Sequence, residues 1–215
     1  MKRQTYEGLF VAEGTSDAPL SPLVEDLFRE RGVELRVSSP NFALLEKQVK
    51  KTVAAKVRAG ISLLGAEPDV VIVHRDADNA GVPARRAEIT DGVTEVSATL
   101  TCCPVIPIRM TEAWLLLDDG AIRRVAGNPK GKSDLGLPHP REVERIADPK
   151  QRLRDALLAA ADKTGRRRER GANRFDSHRR QLLERLDPHG PISRLDGWNR
   201  LVEDVDRIVD LWRSA

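Results

Sequence analysis

Val70-Val71-Ile72-Val73, running into His74-Arg75-Asp76-Ala77-Asp78, decides how this chain is read. Consecutive β-branched apolar residues suit a strand buried on both faces, as parallel strands are. Two carboxylates then follow, two positions apart. The same arrangement occurs earlier, where Gly8-Leu9-Phe10-Val11-Ala12 runs into Glu13-Gly14-Thr15-Ser16-Asp17. A third acidic position, Glu112, lies in Ile108-Arg109-Met110-Thr111-Glu112-Ala113-Trp114. Carboxylates collected beyond the ends of parallel strands supply the oxygen ligands that hard divalent cations prefer.

Working outward from these runs, the pattern predicts a strand over Gly8–Ala12 and a helix with Asp17 as N-cap and Pro19 just inside it. That helix buries Leu20, Leu23, Val24 and Leu27 and ends near Gly32. Val33–Val37 is read as a second strand. Residues 42–64 are read as a helix with Leu44, Leu45, Val49, Val53, Val57 and Ile61 on its apolar side. Val70–Val73 is the third strand, Pro83 to about Leu100 a helix, Val105–Ile108 the fourth strand, and Thr111–Leu117 a short helix. The alternation β-α-β-α-β-α-β marks a parallel α/β sheet. Residues 127–141, rich in Gly, Pro, Lys and Ser, read as a loop. Helices are expected at about 142–162, 176–187 and 197–213, with a basic stretch, Lys163 to Asn173, between the first two. The organisation expected is a catalytic domain over residues 1–126 and a basic, mainly helical extension over residues 127–215.

The chain has 215 residues, enough for one domain and a smaller extension. No apolar run approaches the roughly 20 residues of a membrane helix. Met-Lys-Arg leads into polar residues, so no secretory signal is read and the expected location is cytoplasmic. Cys102 and Cys103 are adjacent, fit neither a zinc spacing nor a disulfide framework, and read as buried reduced thiols. Residues 1–126 carry 16 basic and 18 acidic side chains, a net of −2; residues 127–215 carry 20 and 15, a net of +5. An acidic half beside a basic half suits a protein that holds a metal and a polyanion together.

In an open parallel sheet, ligands bind beyond the carboxyl ends of strands where the strand order reverses. If the first and third strands are neighbours, Glu13, Asp76 and Asp78 converge there. Asp17 joins from the first turn, and Glu112 closes the cluster after strand four. On a continuing strand Asp76 and Asp78 point the same way. Unpaired carboxylates this close repel, and a cation offsets that repulsion.

These motifs, Glu13-Gly14 with Asp17 after one strand, Asp76-Ala77-Asp78 after another, and the later Glu112-Ala113-Trp114-Leu115, resemble the TOPRIM domain. The likeness covers residues 5 to about 120 and is greatest to the OLD-type and stand-alone TOPRIM-like bacterial proteins, many of which work with ATPases in phage defence. It implies a Rossmann-like fold, dependence on Mg²⁺ or Mn²⁺, and metal ligation by Glu13, Asp17, Asp76, Asp78 and Glu112. It also implies a catalytic lysine, for which Lys150 is the first candidate and Lys130 and Lys132 the next. Arg166, Arg167, Arg168 and Arg170 would track a nucleic-acid backbone, DNA or RNA, through its phosphates. The same run also reads as a solvated loop, His74 as a packing residue, and Arg75 as a phosphate ligand or a local counter-charge.

Two functions stand on this reading. The first is a metal-dependent nuclease, with two cations roughly 3.5–4 Å apart clamping a phosphodiester and Glu13 as acid–base. The second is a non-catalytic regulatory module that binds metal, nucleotide or a partner ATPase. The chain holds no Gly-x-x-x-x-Gly-Lys-Ser/Thr loop of its own. Tyr6 is the sole tyrosine and precedes the first strand, which disfavours a topoisomerase nucleophile. If Asp76 serves mainly to bind metal, replacing it by alanine should leave stability equal or slightly higher.

Overall fold

A computed structural model describes residues 5–46, 48–165, 171 and 173–214. Its sheet has four strands, β1 (Thr5–Val11), β2 (Glu34–Ser38), β3 (Val70–His74) and β4 (Thr101–Val105), in the order β2-β1-β3-β4. All three pairings are parallel, with Leu9 opposite Val71 and Val73 opposite Pro104. The α/β class and the parallel sheet expected from the sequence are therefore present. Among the described residues the helices are α1 (Leu20–Glu30), α2 (Val53–Leu64), α3 (Val82–Thr94), α4 (Glu112–Leu115), α5 (Asp119–Val125), α6 (Pro149–Ala161), α7 (Phe175–Leu183) and α8 (Asp196–Ser214). None of them is long and apolar enough to cross a membrane.

The chain divides into two compact units. The first comprises Met1–Arg75, Ala80–Ile106 and Asn199–Ala215; the second comprises Asp76–Asn79 and Pro107–Trp198. In the first, every residue of β3 is buried, as its unbroken apolar run requires. Leu20, Leu23, Val24 and Leu27 of α1 are buried as their spacing predicts. Tyr6 stacks on Trp212 with ring centroids 4.0 Å apart, which attaches the C-terminal helix to the start of β1. In the second unit, Trp114 meets Trp198 edge to face at 5.6 Å.

Two elements depart from the sequence expectation. The helix expected over residues 42–64 begins at Val53; before it lie only a 3₁₀ turn, Phe42–Leu44, and irregular chain. Thr52 ends the irregular stretch by accepting the Ala55 amide on its side chain at 3.3 Å, an N-cap that competes with continuing the helix backwards. Leu44 is left 81% exposed, so its helical spacing buries nothing. The fourth strand is Thr101–Val105, not Val105–Ile108, and includes both cysteines. Pro104 is tolerated there because β4 is an edge strand. Val105 accepts the Arg75 amide at 3.1 Å, so the neighbouring Pro104 nitrogen points away from β3, where no ladder bond is lost. Both thiols are free. Burial pushes Cys102 up to about 12 and raises Cys103 well above its ordinary value, which makes them inert rather than nucleophilic.

Helices α2 and α3 pack closely at Gly92. A Cβ there would stand 2.7 Å from Val53 Cβ and 2.9 Å from Val53 Cγ1, and Val53 is stiff and buried. Overpacking costs about 1–3 kcal/mol, against a gain of about 1 kcal/mol from helix propensity. Gly92→Ala should therefore lower stability, on the order of 1 kcal/mol, in a denaturant titration; an unchanged or raised midpoint would refute the close approach.

Candidate functional site

In the first unit, the strand order reverses between β1 and β3, and the residues beyond their carboxyl ends form a charged group. Glu13 follows β1 and is half exposed. Its Oε1 lies 2.6 Å from Arg75 Nη1, while Arg75 Nη2 reaches Glu88 Oε1 at 2.9 Å. The arginine is thus a local counter-charge for two carboxylates. Asp17 is buried in the 3₁₀ turn Thr15–Asp17, with its Oδ2 3.8 Å from Nδ1 of the buried His74. Asp17 caps no helix; Pro19 takes the N-cap position of α1.

A residue that the sequence reading sets away from the apolar side of its helix organises this end of the sheet. Lys56 of α2 is buried, and its Nζ donates to the carbonyl oxygens of Ala12 at 2.6 Å and Glu13 at 2.8 Å. It fastens the turn that carries Glu13. Its position was legible: Lys56 lies three residues after Val53 and four before Gly60, on the same buried face. Lys51, Lys56, Arg75, His74 and Glu13 surround a space of about 10 Å³. The arrangement can neutralise an anion or present one carboxylate to a cation.

Burial lowers the Lys56 pKa from its ordinary 10.5, Glu13 partly restores it, and Arg75 and Lys51 lower it further. The unfolded chain therefore binds this proton more tightly than the folded one. Stability should rise as pH climbs towards 10.5, because the proton that the fold disfavours is being removed. Lys56→Met should lack that rise when denaturation midpoints are followed from neutral pH upward. Parallel curves for the two proteins would contradict it.

In the second unit, Asp76 Oδ1 accepts two hydrogen bonds from Thr111, from the amide at 2.9 Å and the hydroxyl at 2.9 Å. Asp78 is exposed and takes a left-handed conformation, φ 44°, with its amide donating to the Arg109 carbonyl at 2.8 Å. Arg109 is also left-handed, φ 67°, and its guanidinium donates to Asn79 Oδ1 at 3.0 Å. The strand ends at His74 and the left-handed turn falls at Asp78, so the two aspartates do not share one continuing strand. Non-glycine residues in this region carry strain that surrounding contacts must hold.

Glu112 is 2% exposed, and its Oε1 accepts from Arg179 Nε of α7 at 2.9 Å. Its Oε2 is buried without a hydrogen-bond partner. Arg179, 67 residues further along the chain, is a partner that spacing alone does not reveal. Lys150 lies in the first turn of α6, whose N-cap Asp148 accepts the Gln151 amide at 2.8 Å; Lys130 and Lys132 are exposed on the loop before it. Arg166, Arg167, Arg168 and Arg170 lie outside the described residues.

Comparison with protein-family models, with curated proteins and with solved structures gave no match. The TOPRIM resemblance accordingly rests on the motifs quoted above. Among the described residues, no three His, Cys, Asp or Glu side chains gather closely enough to hold a metal ion between them. The donor chemistry still suits Mg²⁺, which uses one or two carboxylates and completes its octahedron with water and substrate phosphate.

Proposed function

We propose that the protein is a divalent-metal-dependent phosphodiesterase acting on nucleic acid, in the manner of the TOPRIM-like nucleases its motifs resemble. One observation carries this reading: an all-parallel sheet in the order β2-β1-β3-β4 with Glu13 and Asp17 following β1, at the reversal of strand order where such sheets bind ligands. Glu13 and Asp17 would hold Mg²⁺ or Mn²⁺, joined in the sequence pattern by Asp76 and Asp78, two and four residues after β3. When bound, the cation would polarise a phosphoryl oxygen and lower the pKa of a bound water. Lys56 would keep the Glu13 turn in place through the two backbone carbonyls it engages. Arg75, released from Glu13, would face a substrate phosphate as a bidentate donor. Nucleic acid is the proposed partner, with an ATPase on another chain as in stand-alone TOPRIM-like systems.

A specific observation favours a second reading, a binding module without hydrolysis. Glu13 and Glu112 are each engaged by an arginine, Arg75 and Arg179, which neutralises carboxylates a metal would otherwise need. The discriminating experiment incubates the full chain with plasmid DNA and single-stranded RNA in Mg²⁺ or Mn²⁺, beside Glu13→Gln. Cation-dependent cleavage lost in the variant supports the nuclease. Metal or nucleotide binding without cleavage by the parent protein supports the module.

A further inference from the structure

Two cavities adjoin helices α6 and α7 in the second unit. One, of about 210 Å³, is lined by Arg154, Leu158, Phe175 and His178 among others. The second, of about 270 Å³, is lined by Lys163, Arg174 and again His178. Each is smaller than a typical ligand pocket of roughly 300–1,000 Å³, so a ligand of ordinary size would use both. Among the described residues, no carboxylate lines either cavity; the ionisable groups facing them are three cations and an imidazole.

The two cavities differ in character. In the first, the Arg154 guanidinium lies 4.2 Å from the ring centroid of the buried Phe175, forming a guanidinium wall backed by an aromatic ring beside Leu158. Such walls suit a planar, polarisable group, since bases stack on aromatic rings and guanidinium planes alike. In the second, a lysine and an arginine suit a phosphate. His178 belongs to both, and its Nδ1 is buried without a hydrogen-bond partner. A buried polar atom left unsatisfied calls for a missing partner. Burial, then Arg174, then Lys163 lower the His178 pKa, so an anion placed here would relieve the two electrostatic causes.

We infer that these cavities together bind a nucleoside phosphate, the phosphate at Lys163, Arg174 and His178 and the base along the Arg154–Phe175 wall. The source is either a free nucleotide or the terminal nucleotide of a strand. The inference goes beyond the metal-dependent reading and does not rest on it, because binding is to be read without a divalent cation.

The test is calorimetry on the full chain in EDTA with AMP, adenosine and inorganic phosphate. AMP should bind at least about tenfold more tightly than either fragment. Charge reversal at two exposed positions, Lys163→Glu with Arg174→Glu, should weaken AMP at least about tenfold while the melting temperature stays put. If that protein melts early, Arg174→Gln alone serves the same purpose. Glu13→Gln should keep full AMP affinity, which separates this site from the metal reading. Displacement of AMP by a 5′-phosphorylated oligonucleotide and not by its 5′-hydroxyl counterpart assigns a strand end; displacement by neither assigns the free nucleotide. No AMP binding, equal affinity for AMP and either fragment, or unchanged affinity in the charge-reversed protein would overturn the inference.

Discussion

Arg179→Ala is expected to cost about 3–5 kcal/mol of stability, the range for removing one partner of a buried ion pair. The remaining Glu112 carboxylate is 2% exposed, and one of its oxygens already lacks a partner. Alanine would take away the hydrogen bond to the other, from Arg179 Nε at 2.9 Å, and leave a charge buried in the helical second unit. The magnitude reflects desolvation of an orphaned charge rather than the net worth of the pair. A buried pair exchanged for apolar residues of similar volume is often neutral. The double variant Glu112→Leu with Arg179→Met should therefore recover most of the loss. Guanidinium titrations of the three proteins decide the matter. A single-variant loss below about 1 kcal/mol would place the pair with exposed ion pairs and return Glu112 to the candidates for metal.

Under the proposed function, Glu13→Gln and Asp76→Ala should each reduce cleavage by at least about 100-fold, since even outer-shell partners of a metal cost 10- to 100-fold. They should separate in stability. Glu13 is half exposed, and its pair with Arg75 is solvent-screened, so Glu13→Gln should shift stability by less than about 1 kcal/mol. Asp76→Ala strips the acceptor from the amide and hydroxyl of Thr111, which is fully buried, at a cost of about 1–3 kcal/mol. This revises the sequence expectation that losing Asp76 would spare the fold. Like-charge relief was the visible term; the two hydrogen bonds from Thr111 were not. Asp76→Asn keeps an acceptor and should sit between the two in stability. Paired melting curves and plasmid-cleavage assays read both axes. Full cleavage by Glu13→Gln would remove the metal-dependent mechanism and promote the binding module.

β1 and β3 were legible because their apolar runs are unbroken and end in charge, and their adjacency bore out the assumption that the order reverses there. The start of α2 was misread because Leu44, Leu45 and Val49 keep helical spacing although Leu44 is exposed and the other two are only partly covered; Thr52 was the cap signal that outweighed them. β4 was displaced because Val105–Ile108 is the more apolar run, whereas the pairing uses Thr101 and the two cysteines. Thr111 against Asp76 and Arg179 against Glu112 depend on tertiary folding over 35 and 67 residues, and no local pattern encodes them.

The proline in β4 matters beyond the sheet that contains it. An incoming chain that tried to extend the sheet past β4 would need a donor at each outward-facing position, and at Pro104 it would find none. A five-residue rim interrupted in this way makes a poor template for strand addition. Pro104 is itself buried, so at this position the rim is closed by packing as well as by the missing donor. Substituting valine would add the missing donor, but under the packing that buries this position, so the rim would present no exposed donor there.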